Sequence, residues 1–519
     1  MAGTRFALPF QTARRTWAYA ILLLLLQSLG PARAVLADSL PEPLFLPAPN
    51  GEEPLLNRGM FKEPYRDDLE GLIKRRVIRV LVTYSPSGFF LEDGQPRGFE
   101  YELMEQYRKH LKSRVKPRSW PVVFAFIPMR FDDLLPALAA GWGDIAAAGL
   151  KITPERQAEV DFTDPYLDGV KEIVVTAKGV GRIDSLEDLA GRRIYVTPSS
   201  SYAKHLQELN ERFAAQGLAP IQIEAADSRL LTEDVLELVN AGIVEITVAD
   251  DHLARLWAAT MPNMAPRPDL VVHEGGQIAW AVRKDSPELH ESLNRAVAQN
   301  REGTLIGNVL LNRYFEAPAA LTPPIDGPPM ARLAELEPLF RKYGQAYGFE
   351  WTTLAALAYQ ESKLDQDAVS HVGARGIMQV MPATAATVHE GGADLTDLEQ
   401  NIHAGTKYLA HLRDEVFDDP EIAVADRLDF ALAAYNAGPG KIIELRKQAA
   451  DKGYDPNRWF FNVESLSRRQ LGRETVAYVA NVNKYIIAYK LAEKARGERI
   501  EARNGTEAED DRANGTAKP

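Results

Sequence analysis

Apolar positions change rhythm part-way along this 519-residue chain. From about residue 74, short apolar runs alternate with segments of helical spacing. Val77–Val82 is such a run, closed by the loop Tyr84 to Gly88, and it reads as a strand. Tyr101–Leu111 has helical spacing, Val122–Ile127 is a second strand, Phe131–Ala140 a helix ending at Gly141, and Ile145–Leu150 a buried strand. Strand and helix in turn predict an α/β unit with a largely parallel sheet. From Met330 the spacing is helical. Leu333, Leu336, Leu339 and Phe340 share one face, and Leu354, Leu357 and Ala358 lead at the same spacing to Glu361.

Punctuation between these patterns divides the chain. Arg5, Arg14 and Arg15 precede an apolar run from Trp17 to Leu26, with small residues at Ala32, Ala34, Val35 and Ala37. Residues 1–37 therefore read as a secretory signal, with cleavage after Ala34 or Ala37. The run is shorter than the roughly 20 residues of a membrane span, and an uncleaved anchor is the alternative. Residues 38–75 carry Pro41, Pro43, Pro47, Pro49 and Pro54 and predict a linker with little regular structure. The α/β unit occupies 76–316. A proline-rich spacer follows over 317–329, then a helical domain over 330–496. Residues 497–519 are polar and charged and predict a disordered tail.

Composition narrows the chemistry. The net charge of −12 argues against a general nucleic-acid binder, which needs a basic face. With no cysteine, there is no disulfide, thiolate nucleophile, cysteine metal site or lipid-anchoring cysteine. The nine histidines are scattered. His403 and His411 share a helix face, but no metal-ligand spacing emerges, so neither metal nor cofactor is expected. Glu361 is the candidate of chemical interest. A carboxylate closing an apolar helix is partly desolvated, which raises its pKa and keeps a proton available near neutrality, as a general acid requires. On those residues alone, a solvated helix-end charge is the competing reading. Asp365 and Asp367, the nearest candidates for a second carboxylate, sit in a link and suit turn formation.

The segment around Glu361 carries more. Glu361-Ser362 is followed by Gly373 to Gln379, Met381 to Thr384, Asn401-Ile402 with Gly405 and Tyr408-Leu409, Ala434 to Gly440, and Glu474-Thr475 with Tyr478-Val479. These ordered blocks resemble the catalytic domain of soluble-type lytic murein transglycosylases, a lysozyme-like fold; Ile377 stands where a leucine is usual. The resemblance implies Glu361 as the one acid and base, acting on peptidoglycan glycan strands without a cofactor. It implies that Ser370, Met378 and Gln379 line the sugar groove, that Tyr435 and Asn436 hold the acetamido end, and that Tyr478 bonds Glu361 or the sugar. Core roles for Met378, Tyr435 and Tyr478 are the alternatives.

The α/β unit resembles extracellular solute-binding proteins of the polar amino acid type. Matching residues are Gly98 to Leu103, Gly143-Asp144-Ile145, Gly149 to Arg156, Asp161 to Tyr166, Leu186 to Val196, and Glu245 with Asp250. The resemblance implies two lobes closing over a cleft. Arg156 would hold a ligand carboxylate, Asp250 a ligand amine, and Ser199 and Ser200 an anion ahead of a helix. Structural ion pairs at Arg156 and Asp250 are the alternative, since Glu102 and the loop around Gly88 depart from the family pattern.

Together the expected architecture is an α/β two-lobed periplasmic-binding-protein-like domain followed by a mainly α, lysozyme-like domain. The order of the halves is similar to the membrane-bound lytic murein transglycosylases. It implies a periplasmic enzyme, peripheral at the inner face of the outer membrane. Because the first domain would meet muropeptides or stem peptides released by the second, closure of residues 76–316 over such a ligand is expected to change access to Glu361. A solute-binding receptor with an inactive appendage and a hydrolytic muramidase are the alternative readings.

Overall fold

The structure, a computed structural model, describes residues 44–45, 63–92, 95–114, 122–316, 330–388, 392–452 and 454–515. The expected secretory signal over 1–37 and the expected spacer over 317–329 lie outside the described residues.

The first lobe is built on a six-stranded sheet in the order Leu44–Phe45, Val123–Pro128, Val77–Val82, Ile145–Ala146, Ala281–Val282, Asp161–Phe162. Val77–Val82 is central and parallel to both neighbours, and every one of its residues is buried. A strand buried on both sides has that form because helices cover both faces, and its one charged residue, Arg79, is accepted there only because it is paired. The helix Phe99–Arg114 packs on this sheet through Leu103, Met104 and Tyr107. Gly141 ends the Leu134–Ala140 helix at φ 87°, a left-handed conformation that glycine adopts without steric cost.

The interior of this lobe turns on Asp144, which is wholly buried. Its carboxylate accepts from the Arg79 backbone N–H at 2.8 Å and pairs with Arg79 at 2.7 Å, Arg75 at 3.1 Å and Arg283 at 3.4 Å. A buried carboxylate of this kind is tolerable only with such saturation.

Two strands, Leu167–Ala177 and Met264–Ile278, leave the first lobe and build the second. Leu167, Val170 and Ile278 belong to the first lobe's core, whereas Ile173, Val175 and Met264 belong to the second's. These strands pair antiparallel, with Ile246–Asp250 on the far side of Leu167–Ala177. The expected parallel sheet is therefore confined to the centre of the first lobe. Among the described residues, only the pair Arg193–Val196 and Gln222–Ala225 is parallel in the second lobe. Two more expectations need correction. The Ile145–Leu150 run is a strand only over Ile145–Ala146, after which the chain departs to line the cleft. The 38–75 segment is not devoid of structure. Leu44–Phe45 pairs with Phe126 and Ala125, and Leu69–Arg75 is a helix capped by Asp68, whose carboxylate also accepts from the N–H groups of Glu288 and Leu289 at 2.8 Å.

The helical domain packs Met330–Tyr347, Trp351–Ser362, Leu398–His411, Val424–Ala437, Pro439–Asp451 and a last helix from Arg473 around one core. Its Trp351–Ser362 helix is buried from Trp351 through Tyr359. The last helix continues through Gly515, across the segment expected to be disordered; its Ala, Glu and Arg content favours helix. On the way it joins the second lobe, with Ile487 and Ala488 entering that lobe's core. Lys484 pairs with Asp234 at 2.6 Å and Glu237 at 2.8 Å, and Arg229 donates to Asn483 at 2.9 Å. The first lobe also touches the helical domain. Tyr84 stacks on Phe461 with centroids 6.3 Å apart, under the guanidinium of Arg468 at 4.2 Å.

Candidate functional site

Glu361 stands on the last turn of the Trp351–Ser362 helix. Lys363 and Leu364 then take positive φ, 58° and 67°, and turn the chain sharply away. The carboxylate is half-buried, and the Tyr478 hydroxyl from the last helix donates to it. Burial raises its pKa to about 7, opposed by the Tyr478 hydrogen bond. Among the described residues, no neighbouring carboxylate contributes to that shift. Tyr435 and Tyr478 are both pushed well above the ordinary phenol value, by burial first and then by the Glu361 charge. The three side chains thus form one cluster drawn from three separate helices.

The loop after Glu361 is held by polar brackets. Ser362 Oγ donates to the Ile377 carbonyl at 2.8 Å, and Tyr435 Oη donates to the Met378 carbonyl at 2.9 Å. Asn401, wholly buried, accepts from the Met378 N–H at 2.9 Å and donates to the carbonyls of Arg375 at 2.9 Å and Leu395 at 3.0 Å. Gly376 has φ 75°, and a Cβ there would meet the Asn401 amide at 2.1 Å, so the Gly376–Asn401 approach excludes any side chain. Gln379, at φ 46°, donates to the carbonyls of Ala368 at 3.0 Å and Gly376 at 2.8 Å. Ser370 accepts from the Ala374 N–H at 3.0 Å. Asn436 accepts from the Thr475 hydroxyl at 2.8 Å.

Met378 differs from expectation. Its side chain is wholly buried beside Gly405, so it fills the core, and only its carbonyl reaches toward the Glu361 cluster through Tyr435. Asp365 accepts from the Asp367 N–H at 2.9 Å, the turn geometry expected of that pair. Asn401 and Thr475 enter the sequence motifs without a role of their own. A buried asparagine spending its amide on three backbone groups has no signature in sequence, because its partners come from elsewhere in the chain.

The cleft between the two lobes encloses a cavity of about 140 Å³. Arg156, Asp250, Ser199 and Ser200 all line it. Arg156 donates to the carbonyls of Lys151 at 2.9 Å and Ser199 at 3.1 Å. Ser200 caps the Ser201–Ala215 helix, and Ser199 Oγ donates to Asp132 across the cleft. Asp250 is taken by Lys151, whose ammonium also meets Glu172 at 2.7 Å. Glu172 further accepts from Ser201 Oγ and contacts His205 Nδ1, each at 2.7 Å. Burial resists its ionisation, but His205 and Lys151 outweigh that and hold its carboxyl down to about 2. Lys151 falls inside the Gly149 to Arg156 block without a role of its own, and the sequence patterns do not single out Glu233 on the cavity wall or Glu172 buried behind it. Glu233 lines the cavity, accepts from Ser87 of the other lobe at 3.2 Å, and is raised to about 7 by burial. Among the described residues, no acidic or histidine cluster is arranged to hold a metal ion.

Two lobes hinged over a cleft, joined to a helical domain with a half-buried glutamate at a helix end, define a two-part protein: a solute-binding fold carried by a transglycosylase-type domain. Family models agree with this division. The bacterial extracellular solute-binding proteins, family 3, match residues 77–317, and the transglycosylase SLT domain matches 338–457. A protein of Desulfosudis oleivorans named membrane-bound lytic murein transglycosylase F is 33% identical over 410 residues, covering 76% of this chain and 84% of its own. One of the same name from Ectopseudomonas mendocina is 30% identical over 482 residues, covering 87% and 92%. This chain belongs to the membrane-bound lytic murein transglycosylase F family. Among solved structures, an ancestral arginine-binding protein bound to arginine is 28% identical, covers 46% of this chain and 98% of its own, and has a TM-score of 0.39. Among the described residues, no helix is long and apolar enough to cross a membrane.

Proposed function

We propose that this protein is a lytic transglycosylase of peptidoglycan in which Glu361 is the only acid and base. The observation that carries the reading is the state of Glu361: a half-buried carboxyl raised to about 7, with Tyr478 as its hydrogen-bond partner and, among the described residues, no carboxylate contributing to its shift. Most retaining and inverting hydrolases use a second carboxylate as nucleophile or to activate water. One proton-bearing group suffices if the sugar supplies its own nucleophiles. Glu361 gives its proton to the oxygen bridging N-acetylmuramate C1 and N-acetylglucosamine as the C1–O bond breaks. The muramate acetamido oxygen bonds to C1 in its place. Glu361, now a carboxylate, takes the proton of the muramate 6-hydroxyl, whose oxygen attacks C1 and displaces the acetamido group. The 1,6-anhydro ring closes, no water is consumed, and Glu361 ends protonated as it began. Tyr478 holds the carboxyl in place. Ser370, Gln379, Tyr435 and Asn436 are the proposed sugar contacts, with Met378 supporting them from the core. Mass spectrometry of digested peptidoglycan tests this: the expected muropeptides are one water lighter than hydrolytic products, and full-mass products would indicate a muramidase instead.

The cleft is the proposed site for a muropeptide or stem peptide that regulates the enzyme, with Arg156, Ser199 and Ser200 facing its acidic end. The Thr232–Asn240 helix supports coupling between the halves. It opens at the cavity with Thr232 and Glu233 and presents Asp234 and Glu237 to Lys484, on the helix that carries Tyr478. Burial opposes the Lys484 charge, but Asp234 and Glu237 hold its pKa well above the ordinary value. Added muropeptide should change the activity of the full chain and leave a Lys484→Met variant unresponsive; equal responses would remove the coupling. The proposed location is the periplasm, peripheral at the inner face of the outer membrane. Fractionation of cells before and after a high-salt wash tests it, and recovery in the inner-membrane fraction would contradict it.

A further inference from the structure

The cleft holds a positive group of its own where a free amino acid would place one. Lys151 comes from the first lobe, in the loop between the Ile145–Ala146 strand and the Pro154–Glu159 helix. Its side chain is buried, and its ammonium crosses to the second lobe. There it meets Glu172 at 2.7 Å and Asp250, and it lies 4.6 Å from the centroid of the Tyr202 ring. Two carboxylates and an aromatic face are the environment that an ammonium ligand seeks in a desolvated cleft. Both acids are buried and already share the Lys151 ammonium, so a second ammonium arriving there would find its place taken and would face a like charge. Arg156 is spent differently. It donates to the carbonyl oxygens of Lys151 and Ser199, and a guanidinium has five N–H donors, so donors remain for a carboxylate at the cavity wall.

We propose that Lys151 is a specificity-determining residue of the cleft: it fills the ammonium subsite formed by Glu172, Asp250 and Tyr202, so that the cleft rejects free α-amino acids and takes a peptide whose amino end is acylated and whose carboxylate meets Arg156. This rests on the reading of the cleft as a peptide-binding site. It narrows that reading, because a stem peptide attached to muramate has its first amino group in an amide and brings no N-terminal ammonium to the subsite.

The test is calorimetric titration of the full chain with L-alanine, L-glutamine and L-arginine, and with N-acetyl-D-alanyl-D-alanine as the blocked peptide. The wild type should bind the blocked peptide and none of the free amino acids at millimolar concentration. Lys151→Thr should tighten free amino acid binding by roughly 10- to 100-fold, the size of one charge-assisted hydrogen bond. Because that change leaves two buried carboxylates facing each other, Lys151→Thr combined with Glu172→Gln provides a variant with less uncompensated charge. Wild-type binding of a free amino acid as tightly as the blocked peptide would overturn the assignment, as would unimproved amino acid binding in a folded double variant. If the wild type binds neither ligand class but the variants bind free amino acids, the subsite assignment stands and the peptide reading of the cleft falls.

Discussion

The two halves of this chain each bury carboxylates, and they treat them in opposite ways. In the cleft, Glu172 and Asp250 are met by Lys151, and Glu172 also by His205 and Ser201; its charge is stabilised and its proton is gone at any ordinary pH. In the helical domain Glu361 has burial and one phenol, and its proton stays until about neutrality. Burial alone therefore assigns no role. Glu233 and Asp429 are also raised to about 7 by burial, yet Glu233 lines the binding cleft and Asp429 accepts from Asn483 at 2.8 Å inside the helical domain. What separates Glu361 is its position at a helix end, where the chain turns sharply and the residue is only partly buried, unlike Glu233 and Asp429.

The contrast is tested hardest at Glu361. Glu361→Gln should lower the rate of anhydro-muropeptide release by a factor of about 10² to 10⁴ or more, with an unchanged melting temperature. Normal digestion by that variant would remove the acid from the mechanism. Next in size is Asp144→Ala, which strands the buried arginines Arg79 and Arg283 and should destabilise the first lobe by roughly 3–5 kcal/mol in a denaturant titration. Little change would mean that this ion cluster is dispensable.

Smaller effects refine the contrast. The alkaline limb of the pH–rate profile should fall near pH 7, where Glu361 loses its proton. Tyr478 donates to the ionised form and so holds that pKa down. Tyr478→Phe should therefore move the limb to higher pH, by up to about one unit, while slowing the reaction. A limb that stays in place would uncouple Tyr478 from the proton. Last, the Asp429 carboxyl is raised in the fold from the ordinary aspartate value to about 7 by burial. Its contribution to stability is full below the unfolded value near 4 and is lost as pH rises through about 7. Asp429→Asn should flatten the decline in stability between pH 5 and 8 by on the order of 1–2 kcal/mol.

Much of the catalytic half was legible because its signals are local. Helical spacing up to Glu361, the Gly373 to Gln379 block and the turn-forming Asp365 and Asp367 each depend on residues close together in the chain. Met378 shows the limit. A methionine beside a motif glycine reads equally as groove or core, and the packing of the Leu398–His411 helix against it, at Gly405, places it in the core. The cleft was legible in outline through Gly149 to Arg156 and Asp250. The partner of Asp250 was not, since Lys151 lies 99 positions away and meets it only when the lobes face each other.

By itself the sequence determined the two-part architecture, the polar and apolar faces of most helices, the absence of cysteine chemistry, and the one glutamate placed at the end of an apolar helix. Those are properties of spacing and composition, which act over a few turns of chain. The tertiary structure alone decided which carboxylates keep their protons, because a pKa answers to whatever is packed within a few ångströms. It also decided that Glu172 and Asp250 are paired by Lys151, and that the helix bearing Tyr478 reaches the second lobe through Lys484. Such pairings join groups far apart in sequence, and no periodicity along the chain encodes them.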